Sequence, residues 1–155
     1  MKRGPAFWFA TWFGCGLVPK APGTAGALGA LIVAWPLAFW HHWPPPWFGA
    51  LALAILWPAI QSATAVAIST GRKDPQIVVV DEVVGQWITL AGATQLNWKS
   101  FLAALILFRA FDIWKPPPIR RIEQLPGGTG IVLDDALAGV YGAVILYLLG
   151  RAGVY

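Results

Sequence analysis

The sequence predicts an all-α integral membrane protein: a compact bundle of about five transmembrane helices, preceded by an N-terminal segment that lies in the interface or re-enters it. Three observations predict this. Of its 155 residues 57% are hydrophobic and only 12% charged, where a soluble domain is roughly half apolar and a quarter charged. The apolar residues fall into long runs separated by short Pro-, Gly- or charge-rich breaks. The basic residues lie in alternate breaks, as the positive-inside rule requires of a multi-pass chain. The length suits one unit over residues 1–155.

The segments follow in order. Gly4 to Val18 is short and interrupted by glycine, so it is expected to lie in the interface or to dip in and return. Its start, MKRGPAFWFATWFGCGLVPK, resembles a signal peptide, but the bulky Trp and Phe and the lack of a small-x-small site predict that it is retained. Thr24 to Trp40 is a span candidate, stopped by HHWPPPW, and Trp47 to Thr70 is the longest and least charged run. Ile77 to Leu96 is long enough to cross but carries Asp81 and Glu82. Trp98 to Trp114 is shorter and carries Arg109 and Asp112, and Ile131 to Leu149 closes the set with Asp134 and Asp135 near its start. Helices are expected because transmembrane strands would be shorter and alternate in polarity.

If Thr24 to Trp40 runs outward, eight basic residues (Lys2, Arg3, Lys20, Arg72, Lys73, Lys115, Arg120, Arg121) fall on the cytoplasmic side, and two, Lys99 and Arg151, fall outside. The same topology brings Asp81, Glu82, Asp112, Asp134 and Asp135 to one depth near the cytoplasmic plane. Two stretches echo each other: IVVVDEVVGQ and GIVLDDALAGV each place an acid pair after an apolar run, with Gly85 four residues beyond Asp81 and Gly139 four beyond Asp135. A glycine there lets a neighbouring helix approach closely.

Carboxylates inside spans mark function by default. Five at one depth repel one another unless a cation lies between them. With only oxygen ligands on offer, Mg²⁺ or Mn²⁺ is favoured over zinc. Arg109 and Asp112 share a helical face and are expected to pair. The loop KPPPIRRIEQLPGGTG offers Lys115, Arg120 and Arg121 to a phosphate, and the PGGTG turn offers backbone N–H groups at the start of the last helix. Thr24 is expected to cap the helix that follows the Pro-Gly turn. The small residues around it, such as Gly23, read as helix packing.

Other features read as structural. The single cysteine, Cys15, excludes an intrachain disulfide and reads as a packing residue. His41 and His42 sit beside prolines on the outer side, away from the acids, and read as interfacial; Asp74 and Glu123 read as solvated. The net charge of +4 and pI near 9.6 point to anionic membrane lipids, since no aromatic-basic motif supports nucleic acid. No Ser-His-Asp or Cys-His arrangement, phosphate loop or dinucleotide fingerprint occurs, nor does the D-x-x-D-G-x-x-A-R pattern of CDP-alcohol transferases. Intramembrane acids leave two other classes open: an ion or proton transporter, and a non-catalytic membrane subunit whose acid pairs hold helices together.

Three blocks, GLVPKAPGTAGALGA, IVVVDEVVGQWITL and FRAFDIWKPPPIRRIEQLPGGTGIVLDDALAGV, together resemble the phosphatidylglycerophosphatase A family, in the family's order and over roughly half the chain. The resemblance implies a bacterial inner-membrane, Mg²⁺-dependent enzyme that converts phosphatidylglycerophosphate to phosphatidylglycerol, a phosphoric monoester hydrolysis on the cytoplasmic face. By position it implies Asp81, Asp112, Lys115, Asp134 and Asp135 as catalytic residues. Asp81, Glu82, Asp134 and Asp135 become metal ligands, and Lys20, Thr24, Arg109, Lys115, Arg120, Gly127 and Gly128 become substrate-binding residues. Pro117 stands where the family often has an aromatic and Ala27 where it usually has serine; neither is a charged position. Attack by metal-activated water is favoured over an aspartyl-phosphate intermediate.

Overall fold

The computed structural model describes residues 3–155, so Lys2, counted among the cytoplasmic cations, lies outside the described residues. Among these it contains seven α-helices and no strand. They are α1 (Pro5–Ala10), α2 (Pro22–Phe39), α3 (Pro46–Thr70), α4 (Val80–Ala91), α5 (Trp98–Trp114), α6 (Ile119–Ile122) and α7 (Gly128–Arg151), with one 3₁₀ turn at Cys15–Leu17. Three of them, α2, α3 and α7, are long and apolar enough to cross a membrane.

The helix ends follow local chemistry. Pro22 opens α2 and Pro46 opens α3, at positions where the missing N–H is no loss. Gly71 closes α3 in the left-handed conformation. Asn97 caps α5 by accepting from the N–H groups of Lys99 and Ser100, and the Ser100 hydroxyl accepts in return from the Asn97 N–H. Thr24 does not cap α2. The helix begins two residues earlier at Pro22, so Thr24 falls inside its first turn.

The segment expected to span from Ile77 to Leu96 is different in kind. Its helix, α4, has 12 residues, about 18 Å at 1.5 Å per residue, against a hydrocarbon core of about 30 Å. Val80, Val83, Val84, Gly85, Gln86, Trp87, Thr89 and Leu90 are all buried. An apolar run of this length reads equally as a span or as a helix enclosed by protein; here α2, α3, α5 and α7 all pack against it. Large apolar side chains on the outer helices point away from the bundle instead: Ile32, Leu53, Ile106 and Leu148 are exposed. Exposed Trp40, Trp47, Trp98 and Trp114 sit at helix ends, where an aromatic belt would lie.

The N-terminal segment turns back on itself within the bundle. Six residues of α1 lead through Thr11 to Gly14 into the 3₁₀ turn, and Phe7, Ala10, Thr11 and Trp12 are buried. The Ala10 carbonyl accepts from the Val79 N–H at 2.9 Å, and Trp12 meets the Trp87 ring edge-on, so this segment braces the entry to α4. Cys15 packs against the core beside Gly29, in line with a packing role.

The two echoing stretches meet. A Cβ on Gly139 would lie 2.4 Å from the Gly85 carbonyl oxygen, and one on Gly85 would lie 2.6 Å from the Asp135 carbonyl oxygen. The α4–α7 crossing is therefore backbone on backbone. Thr89 ties it by sharing its hydroxyl between the carbonyls of Gly85 (3.0 Å) and Gly139 (3.1 Å). One turn before each glycine stands an aspartate, Asp81 on α4 and Asp135 on α7. The close crossing sets both acids into the same end of the bundle.

A candidate active site built from helix ends

At that end lies a cavity of about 510 Å³. It is lined from the start of α2 (Ala21, Pro22, Gly23), the α3–α4 loop (Lys73, Asp74, Gln76), the start of α4 (Asp81, Glu82), the end of α5 (Arg109, Asp112, Lys115), the α6 region and the start of α7 (Asp134, Asp135). All of these stretches but the start of α2 deliver charge to one place. Asp81 and Glu82 lie in the first turn of α4, where the positive helix end favours a carboxylate.

Carboxylate oxygens of Glu82, Asp112 and Asp135 lie within 4.8 Å of one another. Arg109 ties two of them: Nη1 donates to Asp112 at 2.7 Å, the pairing their spacing predicts, and it also bonds Glu82. Lys115 holds the other side of the site, with Nζ 2.5 Å from Asp134 and 3.1 Å from Glu123. Lys115 has φ +47°, a left-handed conformation that ends α5 and turns the side chain toward α7. Burial works against its charge, but the hydrogen bond and charge of Asp134 and the bond from Glu123 prevail and raise its pKa above the ordinary lysine value. At the mouth, Asp74 is raised as well, first by desolvation against the cavity wall and then by Glu123 and Asp112, with Lys115 opposing.

Two acids are left with unused capacity. Asp81 Oδ1 and Asp135 Oδ2 are buried and accept no hydrogen bond among the described residues. Burying an ionised carboxylate without a partner costs several kcal/mol. Three clustered carboxylates, two further acids beside them and two orphaned oxygens form a donor set suited to a hard divalent cation.

The structure separates the residues expected at the site. Asp81, Glu82, Arg109, Asp112, Lys115, Arg120, Gly127, Asp134 and Asp135 all line the cavity. Lys20, exposed just ahead of α2, and Thr24 do not. Gly128 does not either: its N–H donates to the Thr64 hydroxyl at 2.9 Å, so that part of the PGGTG turn anchors α7 to α3 and presents no donor to a phosphate. Glu123 is half-buried and bonded to Lys115 where a solvated acid was expected. Asp112, one of the five acids read as surrounding a cation but not among the ligands the resemblance implies, stands in the closest acid group.

Gly23 is the residue that sequence reading missed. A Cβ there would lie 2.0 Å from Glu82 Oε1 and 2.9 Å from Arg109 Nη1. Its bare backbone makes room for the Glu82–Arg109 pair. The only signal was its place next to Pro22 in a run of small residues, which reads equally as packing.

The phosphatidylglycerophosphatase A family profile matches residues 8–150. The chain belongs to this family. The Escherichia coli phosphatidylglycerophosphatase A is 36% identical over 92% of this chain and 81% of its own. The Haemophilus influenzae phosphatidylglycerophosphatase A is 38% identical over 94% and 88%. A Bacteroides thetaiotaomicron protein carrying the provisional name phosphatidylinositol-3-phosphatase is 41% identical over 94% and 95%. No solved structure matches the chain. The phosphatidylglycerophosphatase A family is one of phosphoric monoester hydrolases acting on phospholipid, and the acid-lined cavity is the part of this member suited to such chemistry.

Proposed function

We propose that this protein hydrolyses the phosphomonoester of phosphatidylglycerophosphate, releasing phosphate and phosphatidylglycerol, with Mg²⁺ held in the acid cavity at the cytoplasmic face of a bacterial inner membrane. The observation that carries this reading is the convergence of Asp81, Glu82, Asp112, Asp134 and Asp135 from three helices on one cavity, in a chain of the phosphatidylglycerophosphatase A family. The acids gather at one end and do not run through the bundle, which favours hydrolysis at the interface over ion transport. In this reading residues 1–155 act as one unit. The chain crosses the bilayer five times, with α4 and α5 completing the passes of α2, α3 and α7, and the N-terminal segment re-enters from the cytoplasmic side.

Glu82, Asp112 and Asp135, with Asp81 or Asp134, would hold the metal. Mg²⁺ there would neutralise phosphate oxygens and lower the pKa of the attacking water. Asp81, whose Oδ1 accepts no hydrogen bond among the described residues, would be free to accept a proton at the floor of the cavity. Lys115 and Arg109 place positive charge at the wall of the cavity, where charge on the phosphoryl oxygens shifts in the transition state. Gly127, which also lines the cavity, would offer its backbone to the lipid phosphate.

The lipids named for the relatives share one feature. Each carries a phosphomonoester and a phosphodiester on a single polyol, separated by one carbon that bears a free hydroxyl.

The test is phosphate release from phosphatidylglycerophosphate by the purified protein in detergent, with Mg²⁺ and with EDTA, beside Asp135→Asn and Asp112→Asn. Release that needs Mg²⁺ and is lost in both variants is the expected result. No release by well-folded protein would overturn the substrate; release surviving both substitutions would remove the metal site.

A further inference from the structure

The cavity is polarised. Asp81, Asp134 and Asp135 are buried at its floor, while Lys73 and Arg120 are exposed at its mouth. Of the four cations that line it, Arg109 and Lys115 are committed to carboxylates. Among the described residues Lys73 and Arg120 make no ion pair with any acid. Arg120 is placed by a bond from Nη2 to the Trp114 carbonyl at 3.3 Å. Trp114 and its neighbour Ile113 are 66% and 73% exposed on the outer surface of α5, where the aromatic end of the helix would meet the lipid interface. Arg120 therefore stands between the acid floor and the lipid-facing surface.

We propose that Arg120, aided by Lys73, forms a second anion subsite that holds the phosphodiester of the lipid while its phosphomonoester lies among the acids. This rests on the phosphatase reading above and specifies its substrate class: lipids that present a phosphodiester and a phosphomonoester close together on one polyol. The chemistry requires two sites of unlike character. The monoester is the reacting group and meets carboxylates through a metal. The diester is a single-charged anion that does not react, and a guanidinium fork binds it well. Cations at the mouth of the cavity that pair with no acid among the described residues fit that second group and leave the floor to the first. An interaction made equally in the ground and transition states changes KM and leaves kcat alone, so the subsite has a kinetic signature.

The experiment compares phosphatidylglycerophosphate with phosphatidate, which has the monoester but no diester, at matched acyl chains in mixed micelles with Mg²⁺. The wild-type protein is expected to favour phosphatidylglycerophosphate by about tenfold or more in kcat/KM, the worth of one charged hydrogen bond. Arg120→Gln is expected to erase most of that preference through KM, Lys73→Gln to erase a smaller part, and Arg120→Lys to keep some of it. Circular dichroism and thermal melting report whether each variant is folded. A wild-type protein that cleaves both lipids equally would overturn the subsite and leave the phosphatase reading standing. So would Arg120→Gln and Lys73→Gln proteins that lower both substrates by the same factor. Failure to cleave either lipid by folded wild-type protein would overturn both.

Discussion

The bundle has a cavity at each end, about 510 Å³ at the acid end and about 560 Å³ at the other. The second is lined by Pro45, Pro46, Ala93, Thr94, Tyr147, Gly150 and Arg151. Volume does not distinguish the two; charge does. The acid end combines three buried aspartates with Arg109 and Lys115, in a place where desolvation makes every unpaired charge costly. The far cavity is lined by one charged side chain, Arg151, and it is exposed. A chain retains buried charge against its cost where the charge has a task, and only one end of this bundle retains it.

The largest effect should come from the floor of the acid end. Asp135→Asn keeps the volume and removes the charge from a side chain that is buried and carries an unpartnered oxygen. Loss of one preorganised electrostatic group costs about 10²- to 10³-fold in kcat, and loss of a metal ligand at least as much. Phosphate release should fall by that factor or more while the helical circular dichroism spectrum is kept. Retained activity would break the comparison at once.

Two glycines sharpen the distinction between holding the bundle and shaping the site. On Gly139 a new Cβ meets the Gly85 backbone, which cannot yield without parting α4 from α7. Gly139→Ala should destabilise the protein by about 1–3 kcal/mol, the usual cost of overpacking, and lower the melting temperature. On Gly23 the new Cβ meets the tip of the Glu82 side chain, which can swing aside. Gly23→Ala should melt near the wild-type temperature yet weaken apparent Mg²⁺ affinity about tenfold, because Glu82 leaves its place beside Arg109. Equal melting losses in the two variants would show that Gly23 is packing only.

Much of this was legible in the sequence. The alternation of basic breaks placed five acids at one depth, and the Asp-to-Gly spacing of four in both echoes anticipated the close α4–α7 crossing. What was hidden has physical reasons. An apolar run facing protein and one facing lipid have the same composition, so nothing in Ile77 to Leu96 showed that its helix would have only 12 residues and be enclosed by four others. Pro22 sets the start of α2 ahead of Thr24, overriding a cap that composition favours. The commitment of the Gly128 N–H to Thr64 and of Glu123 to Lys115 depends on contacts between residues distant in sequence. Asp112 was grouped with the other four acids, but its close group with Glu82 and Asp135 was not legible, because that depends on Arg109 of α5 bonding both Glu82 and Asp112.

Glu123→Gln tests a weaker link at the same end. The Lys115–Glu123 pair spans 3.1 Å and the Glu123 side chain is 42% exposed; such pairs are worth about 0.2–1 kcal/mol. Lys115 keeps Asp134 as a partner, so kcat/KM should fall by no more than about fivefold. The raised Lys115 pKa has a defined sign. Its stabilisation is complete below the ordinary lysine value of about 10.4 and is lost only as pH rises through the higher folded-state value. Neither wild type nor Glu123→Gln should therefore show a Lys115-dependent change in activity or melting temperature between about pH 6 and pH 9. A loss of stability within that window that Lys115→Met abolishes would contradict the pairing.

The smallest effect belongs to the far end. Arg151 sits in the last turn of α7, where a cation favours the negative helix end by about 0.3–1 kcal/mol. It lines a cavity that contains no acid to bind a metal and no second cation to clamp a phosphate. Arg151→Gln should cost a fraction of a kcal/mol in stability and change phosphate release by less than about twofold, with the Mg²⁺ dependence intact. A fall of tenfold or more at unchanged melting temperature would mean that the two ends share the chemistry. The division between a charged end that works and an apolar end that only anchors would then have to be abandoned, since no buried charge connects Arg151 to the acids across the apolar middle of α7.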